Sequence, residues 1–274
     1  MPVGCRIFAA FPFSVESIVL RHILPIARYT LLEALRNRLL WLALILVATG
    51  LAFTQFLQQV AITESNQIQA ALLAALLRVG AVFMLASFVV TSMVREFNDK
   101  VMELILSRPL RRSSYFFGKL AGYAAVALAL ALISSLPLAL FAPARQVALW
   151  GLSLACELLL VTAFALFCVF SLTQVMSALA AVAGFYLLSR SISALQIMAA
   201  NPLSGDLSLG QQTVNLVIDA IAFLLPGLDR MTQTGWLVEA APSSQVLGAL
   251  VLQSALYVIL IASAALFDLY RKNY

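Results

Sequence analysis

Six stretches of this sequence stay apolar for about the 20 residues that a helix needs to cross a bilayer. They are 39–57, 72–94, 120–142, 147–171, 175–198 and 244–267. The pattern predicts an all-α integral membrane protein with six transmembrane helices, and an even number of crossings returns both termini to one side. Polar residues collect in the connections: 1–38 before the first run, 95–119 between the second and third, 199–243 between the fifth and sixth, and 268–274 at the end. Residues 39–267 read as one membrane domain with short attachments and no internal repeat.

Three of those attachments have a pattern of their own. In LPIARYTLLEALRNR, Pro25 suits a first helical position and Leu31, Leu32, Leu35 and Leu39 recur at helical spacing, with Arg28, Glu33, Arg36 and Asn37 on the other side. Such an amphipathic helix would lie in the headgroup layer, leucines in lipid and arginines toward anionic headgroups, each worth about 1 kcal/mol of attraction. A plain extension of the first span into the cytosol is the other reading.

Between the second and third runs, REFNDKVMELIL reads as a short helix. Phe97, Val101, Leu104 and Ile105 form an apolar stripe, and Arg95 with Asp99 and Glu96 with Lys100 are spaced as i, i+4 ion pairs. Pro109 keeps Arg108 out of helix and forces a turn. A connection needs only a few residues, so an ordered, charge-laced helix here implies a docking surface; a solvated hairpin without a partner is the alternative.

On the other side, Val214, Val217, Ile218, Ile221, Leu224 and Leu225 make a helical stripe that Pro226-Gly227 ends. The run is too short to span, so it is expected to be interfacial or re-entrant, with Met231 and Trp236 anchoring at the interface and Asp229 and Arg230 facing water.

Composition fixes the class and the orientation. The chain has 274 residues, 63% hydrophobic and 11% charged, where a soluble domain carries about a quarter charged residues. Its net charge of +5 could point to nucleic acid, but the positions of the basic residues point to topology instead. Arg6, Arg21, Arg28, Arg36 and Arg38 precede the first run; Arg95, Lys100, Arg108, Arg111, Arg112 and Lys119 fill the 95–119 island; Arg271 and Lys272 follow the last run. The opposite connections hold only Arg145 and Arg230. The positive-inside rule therefore predicts cytoplasmic termini and a cytoplasmic island.

Catalytic chemistry has little to work with. The single histidine, His22, sits beside Arg21, and Cys5, Cys156 and Cys168 have no metal-ligand spacing. No G-x-S-x-G elbow is present, and FGKLAG at Phe117 to Gly122 lacks the upstream glycine and the Ser/Thr of a nucleotide phosphate loop. No catalytic, cofactor or metal residue is expected on this chain. Charges inside the spans offer a candidate pair: Arg78, about 10 Å into the second run, and Glu157, about 15 Å into the fourth, at about 1.5 Å per residue. Similar depth allows an ion pair; snorkelling of the arginine, or a substrate contact, are the other readings. Gly118 and Gly122 form a GxxxG, which means close helix packing.

Three segments, IARYTLLEALRNRLLW, VREFNDKVMELILSRPLRRSSYFFGKLAGY and PGLDRMTQTGWL, together resemble the permease subunits of ABC-2 type transporters, particularly the NosY-like group. The resemblance runs from about residue 21 to 272 and is most specific at Glu96, Glu103, Ile105 to Pro109, Arg112, Tyr115-Phe116, Gly118-Lys119 and Gly122. It implies that the leader is a connecting helix, that the island is a coupling helix seated in a separate ATPase, and that residues 211–238 are outer re-entrant helices. Glu96, Phe97, Asp99, Lys100, Glu103, Leu104 and Arg108 would then contact the ATPase. Also implied are two ATPase copies that bind ATP and Mg, a second permease copy in a homodimer or heterodimer, a place in the bacterial inner membrane, and a periplasmic accessory protein. The expected function is ATP-driven export, or extraction from the inner leaflet. An ATP-independent carrier or channel, or a membrane anchor for an ATPase, are the competing classes.

Overall fold

The computed structural model describes residues 13–60, 65–99, 112–200, 209–238 and 243–271, and these residues fold into nine α-helices and no strand. In chain order they are α1 (Phe13–Arg36), α2 (Leu39–Val60), α3 (Ser65–Asn98), α4 (Arg112–Ser135), α5 (Ala144–Leu172), α6 (Val175–Ala200), α7 (Leu209–Leu224), α8 (Gly235–Val238) and α9 (Ser244–Arg271). A 3₁₀ turn, Leu136–Leu140, continues α4, and another, Leu228–Arg230, follows α7. Six of these helices are long and apolar enough to cross a membrane, and they coincide with the six apolar runs. The protein is therefore an all-α, multi-pass membrane protein.

Helix α5 lies at the centre. It is the most buried span, with 78% of its apolar window inside the bundle, against 22% for α2 and 28% for α9. Its small residues, among them Ala155, Ala163 and Ala165, let α3, α4, α6 and α9 approach from several sides. Aromatic edges complete the packing: Phe170 of α5 meets Phe97 of α3 at 5.8 Å and Phe116 of α4 at 5.9 Å between ring centroids. Exposed leucines, isoleucines and phenylalanines on α2 and α9 face outward, where lipid would lie.

Two helices depart from the sequence pattern. Helix α3 runs without a break to Asn98, so Glu96 and Phe97 form the last turn of a span and do not open a separate helix. Its 34 residues reach about 51 Å, well beyond a hydrocarbon core of about 30 Å, so the basic end of the helix projects past the lipid. Helix α1 begins at Phe13 and keeps Pro25 in its interior, not at its first position. The proline costs one backbone bond, to the Arg21 carbonyl, which a 24-residue helix tolerates when it is packed along one side.

That packing uses the glycines of α4. A Cβ on Gly118 would stand 2.9 Å from Ile26 Cβ, and one on Gly122 would stand 2.6 Å from Thr30 Cβ and 3.1 Å from the Ala27 carbonyl oxygen. The face of α1 that packs on the bundle carries Ile26, Thr30, Leu31 and Ala34, with Thr30 and Ala34 buried, while Leu24, Tyr29, Leu32 and Leu35 remain exposed. Gly122→Ala should lower the thermal midpoint of the purified chain, at an overpacking cost of about 1–3 kcal/mol, and make α1 accessible to protease. Gly184→Ala, whose Cβ would meet nothing within 4 Å, is the matched control and should leave both readings unchanged.

Candidate functional site

Polar side chains concentrate in two places, at the basic end of the bundle and in its interior near the middle of α3, α5 and α6. At the basic end, Glu33 of α1 accepts hydrogen bonds from Ser92 (2.8 Å) and Arg95 (2.5 Å) of α3. Tyr123 of α4 donates to Ser92 at 2.9 Å. One turn further along α3, Glu96 accepts from Tyr115 at 2.7 Å and pairs with Lys119, both on α4. Lys119 is only 5% exposed, and its ammonium lies 5.7 Å from the centre of the Tyr123 ring. A lysine so buried persists because its carboxylate partner and the ring face replace water. Ser171 of α5 bonds Asp268 of α9, and Arg112 donates to the Leu269 carbonyl at 3.4 Å, so the ends of α4, α5 and α9 are joined as well. The result is a clamp that fixes α1, α3 and α4 to one another.

In the interior, residues 225–238, which follow α7, fold into the bundle. Met231 and Trp236, expected at the membrane interface, are buried at 0% and 8% exposure. Arg190 of α6 draws them in by donating to the carbonyls of Leu228 (2.6 Å) and Met231 (2.9 Å), and Arg78 of α3 donates to the Thr232 carbonyl at 3.0 Å. Thr232 has a left-handed backbone, φ 46°, a strained conformation for a β-branched residue. It is held from every polar atom: its N–H donates to Ser153 at 3.0 Å, its hydroxyl donates to Glu157, and its carbonyl accepts from Arg78. Glu157 is fully buried on α5 and accepts a second bond from Tyr186 at 2.9 Å.

The ion pair expected between Arg78 and Glu157 is therefore replaced by a relay. Both residues belong to one cluster, but Thr232 stands between them, and the cation near Glu157 is Arg190, at 3.9 Å. Arg190, Thr232, Tyr186 and Ser153 escape the sequence reading; only Arg190 had a readable signal, a third charge inside an apolar run.

Of the residues expected to contact an ATPase, Glu96 and Phe97 are engaged within the bundle, Glu96 with Tyr115 and Lys119 and Phe97 against Phe170. Asp99 is exposed just past α3. Lys100, Glu103, Leu104 and Arg108 lie outside the described residues. Arg95 reaches across to Glu33 and not along its own helix to Asp99, because the tertiary partner is partly buried and Asp99 is solvated.

Among the described residues no group of three or more His, Cys, Asp or Glu side chains converges on a metal-sized site. Six helices long and apolar enough to cross a membrane, a charged clamp at the basic end and a polar segment inserted among the spans define a helical membrane protein. A family model described as ABC-2 family transporter protein matches residues 53–263, and the chain belongs to that family, as a membrane component of an ABC transporter. No match is found among curated proteins.

Proposed function

We propose that this chain is the permease subunit of an ATP-driven exporter of the NosY-like group, driven by an ATPase on a separate chain that binds ATP and Mg. In this reading the protein lies in the bacterial inner membrane with both termini and the basic end in the cytoplasm, and it pairs with a second permease copy above two ATPases. The observation that carries the proposal is the clamp at the basic end. Residues 99–111, charged and helix-patterned in sequence, leave from α3 and return into α4, and the exits of both helices are tied together through Glu96, Lys119 and Tyr115. A push on that segment cannot be absorbed by splaying α3 from α4; it moves them, and α1 with them, as one body. Asp99, Lys100, Glu103, Leu104 and Arg108 then serve as the ATPase contact, while Glu96 and Phe97 pass the displacement inward.

The ATP-independent carrier has less support. Such proteins use broken helices and available ionisable groups near the midplane, whereas all six spans here are continuous and both oxygens of Glu157 are occupied in holding the cap. Replacing Asp99, Glu103 and Arg108 together by alanine should leave membrane insertion intact and cut recovery of the ATPase on the tagged chain about tenfold, a loss of about 1.4 kcal/mol of binding. Unchanged recovery and unchanged ATP-dependent activity would place the contact elsewhere.

A further inference from the structure

Helix α1 turns an unusual face away from the bundle. Leu24, Tyr29, Leu32 and Leu35 are exposed there, interleaved with the exposed Arg28 and Arg36. Two adjoining cavities open along it. One, of about 350 Å³, is walled by Leu24, Pro25, Arg28, Tyr29 and Leu32. The second, of about 530 Å³, shares Tyr29 and Leu32 and continues to Glu33, Arg36, Arg95 and Lys119. Both volumes fall in the range of ligand sites, about 300–1,000 Å³, and the shared wall makes them one groove with an apolar half and a charged half.

The charge of the groove is not balanced. Four cations, Arg28, Arg36, Arg95 and Lys119, face two carboxylates, Glu33 and Glu96. Both carboxylates are already committed, to Arg95 and to Lys119. Among the described residues Arg28 and Arg36 have no ion-pair partner, and they stand at positions i and i+8, on one side of the helix about 12 Å apart along its axis. An apolar trough flanked by two arginines that no described carboxylate pairs, and by a tyrosine hydroxyl, complements an anionic amphiphile better than a protein strand or a free ion.

We propose that this groove is a discrete site for one anionic phospholipid of the leaflet at the basic end. The phosphate would lie between Arg28 and Arg36 within reach of Tyr29, and the glycerol and first acyl carbons would lie on Leu24, Pro25 and Leu32. Occupancy would hold α1 in the headgroup layer against α4, so the lipid would stiffen the clamp. The site needs only the membrane and the groove, not the ATPase.

The test uses the full chain purified in detergent, exchanged into mixtures of phosphatidylglycerol and phosphatidylcholine and read by native mass spectrometry. At roughly fivefold for each arginine, the chain should retain one phosphatidylglycerol with about 30-fold preference. Arg28→Gln with Arg36→Gln should abolish that preference, Leu32→Ser should weaken both lipids, and inorganic phosphate in millimolar excess should not displace the bound lipid. Raising the salt on the unaltered chain should erase the preference even if a variant fails to fold. Equal retention of the two lipids, a preference that survives the double substitution, or displacement by phosphate alone would overturn the proposal. A photoreactive group at position 29 that cross-links only to protein, whether a second copy or an ATPase, would overturn it equally.

Discussion

Replacing Glu157 by leucine should release the inserted cap. The carboxylate is fully buried and is the shared acceptor for the Tyr186 and Thr232 hydroxyls, with the Arg190 guanidinium 3.9 Å away. Its removal takes away the carboxylate nearest Arg190, and leaves strained Thr232 without the bond that anchors its side chain. Removing one partner of a buried pair costs about 3–5 kcal/mol, because the other charge stays desolvated and unpaired. We expect a fall in thermal midpoint in a nanodisc and rapid proteolysis between residues 225 and 238. Adding Arg190→Leu should deepen the loss, since its bonds to the Leu228 and Met231 carbonyls, which also hold the cap, go with it. Glu157→Leu with unchanged stability and an unchanged protease map would mean that the cap is held without Glu157, by the carbonyl bonds from Arg78 and Arg190 and by the packing of Met231 and Trp236.

The second large effect is expected at Lys119. Its substitution by methionine keeps most of the side-chain volume but strips Glu96 of its ammonium partner, leaving a carboxylate that is 16% exposed and bonded only by Tyr115. The cost is on the order of 3 kcal/mol, and its functional consequence is more specific than its stability cost. With the α3 and α4 exits no longer tied, ATPase binding should persist while ATP-dependent activity falls, because the contact survives and its lever does not. The exchanged pair, Glu96→Lys with Lys119→Glu, should restore part of both readings. Loss of ATPase binding together with activity would instead make this pair part of the contact surface.

The spans were legible because lipid imposes one requirement on every crossing segment, and the six runs in the sequence satisfy it without ambiguity. The end of α7 at Pro226-Gly227 was legible for an equally local reason. The polar clamps were not, because their partners lie far apart in sequence: Glu33 and Arg95 are separated by 62 residues, and Glu157 and Thr232 by 75. Local spacing offered Asp99 to Arg95, and a partly buried tertiary carboxylate, Glu33, is its partner instead. Met231 and Trp236 looked like interface anchors because their type favours that position; carbonyl bonds from Arg78 and Arg190, carried on other helices, bring their segment inside. Of the leucine stripe, Leu31 packs against the core and Leu39, which opens α2, is buried, while Leu32 and Leu35 are exposed. Ile26 opposite Gly118, and Ala27 and Thr30 opposite Gly122, set the close approach that leaves Leu32 and Leu35 on the outer side.

Recovery of the tagged full chain from its native membrane, under conditions that keep it folded, tests the central claim most directly. The account predicts that a separate polypeptide carrying a nucleotide phosphate loop is recovered with it in equal number, and that hydrolysis of ATP by that complex falls with the Lys119→Met chain. Recovery of a folded, membrane-inserted chain with no ATPase bound, or hydrolysis indifferent to Lys119, would contradict it.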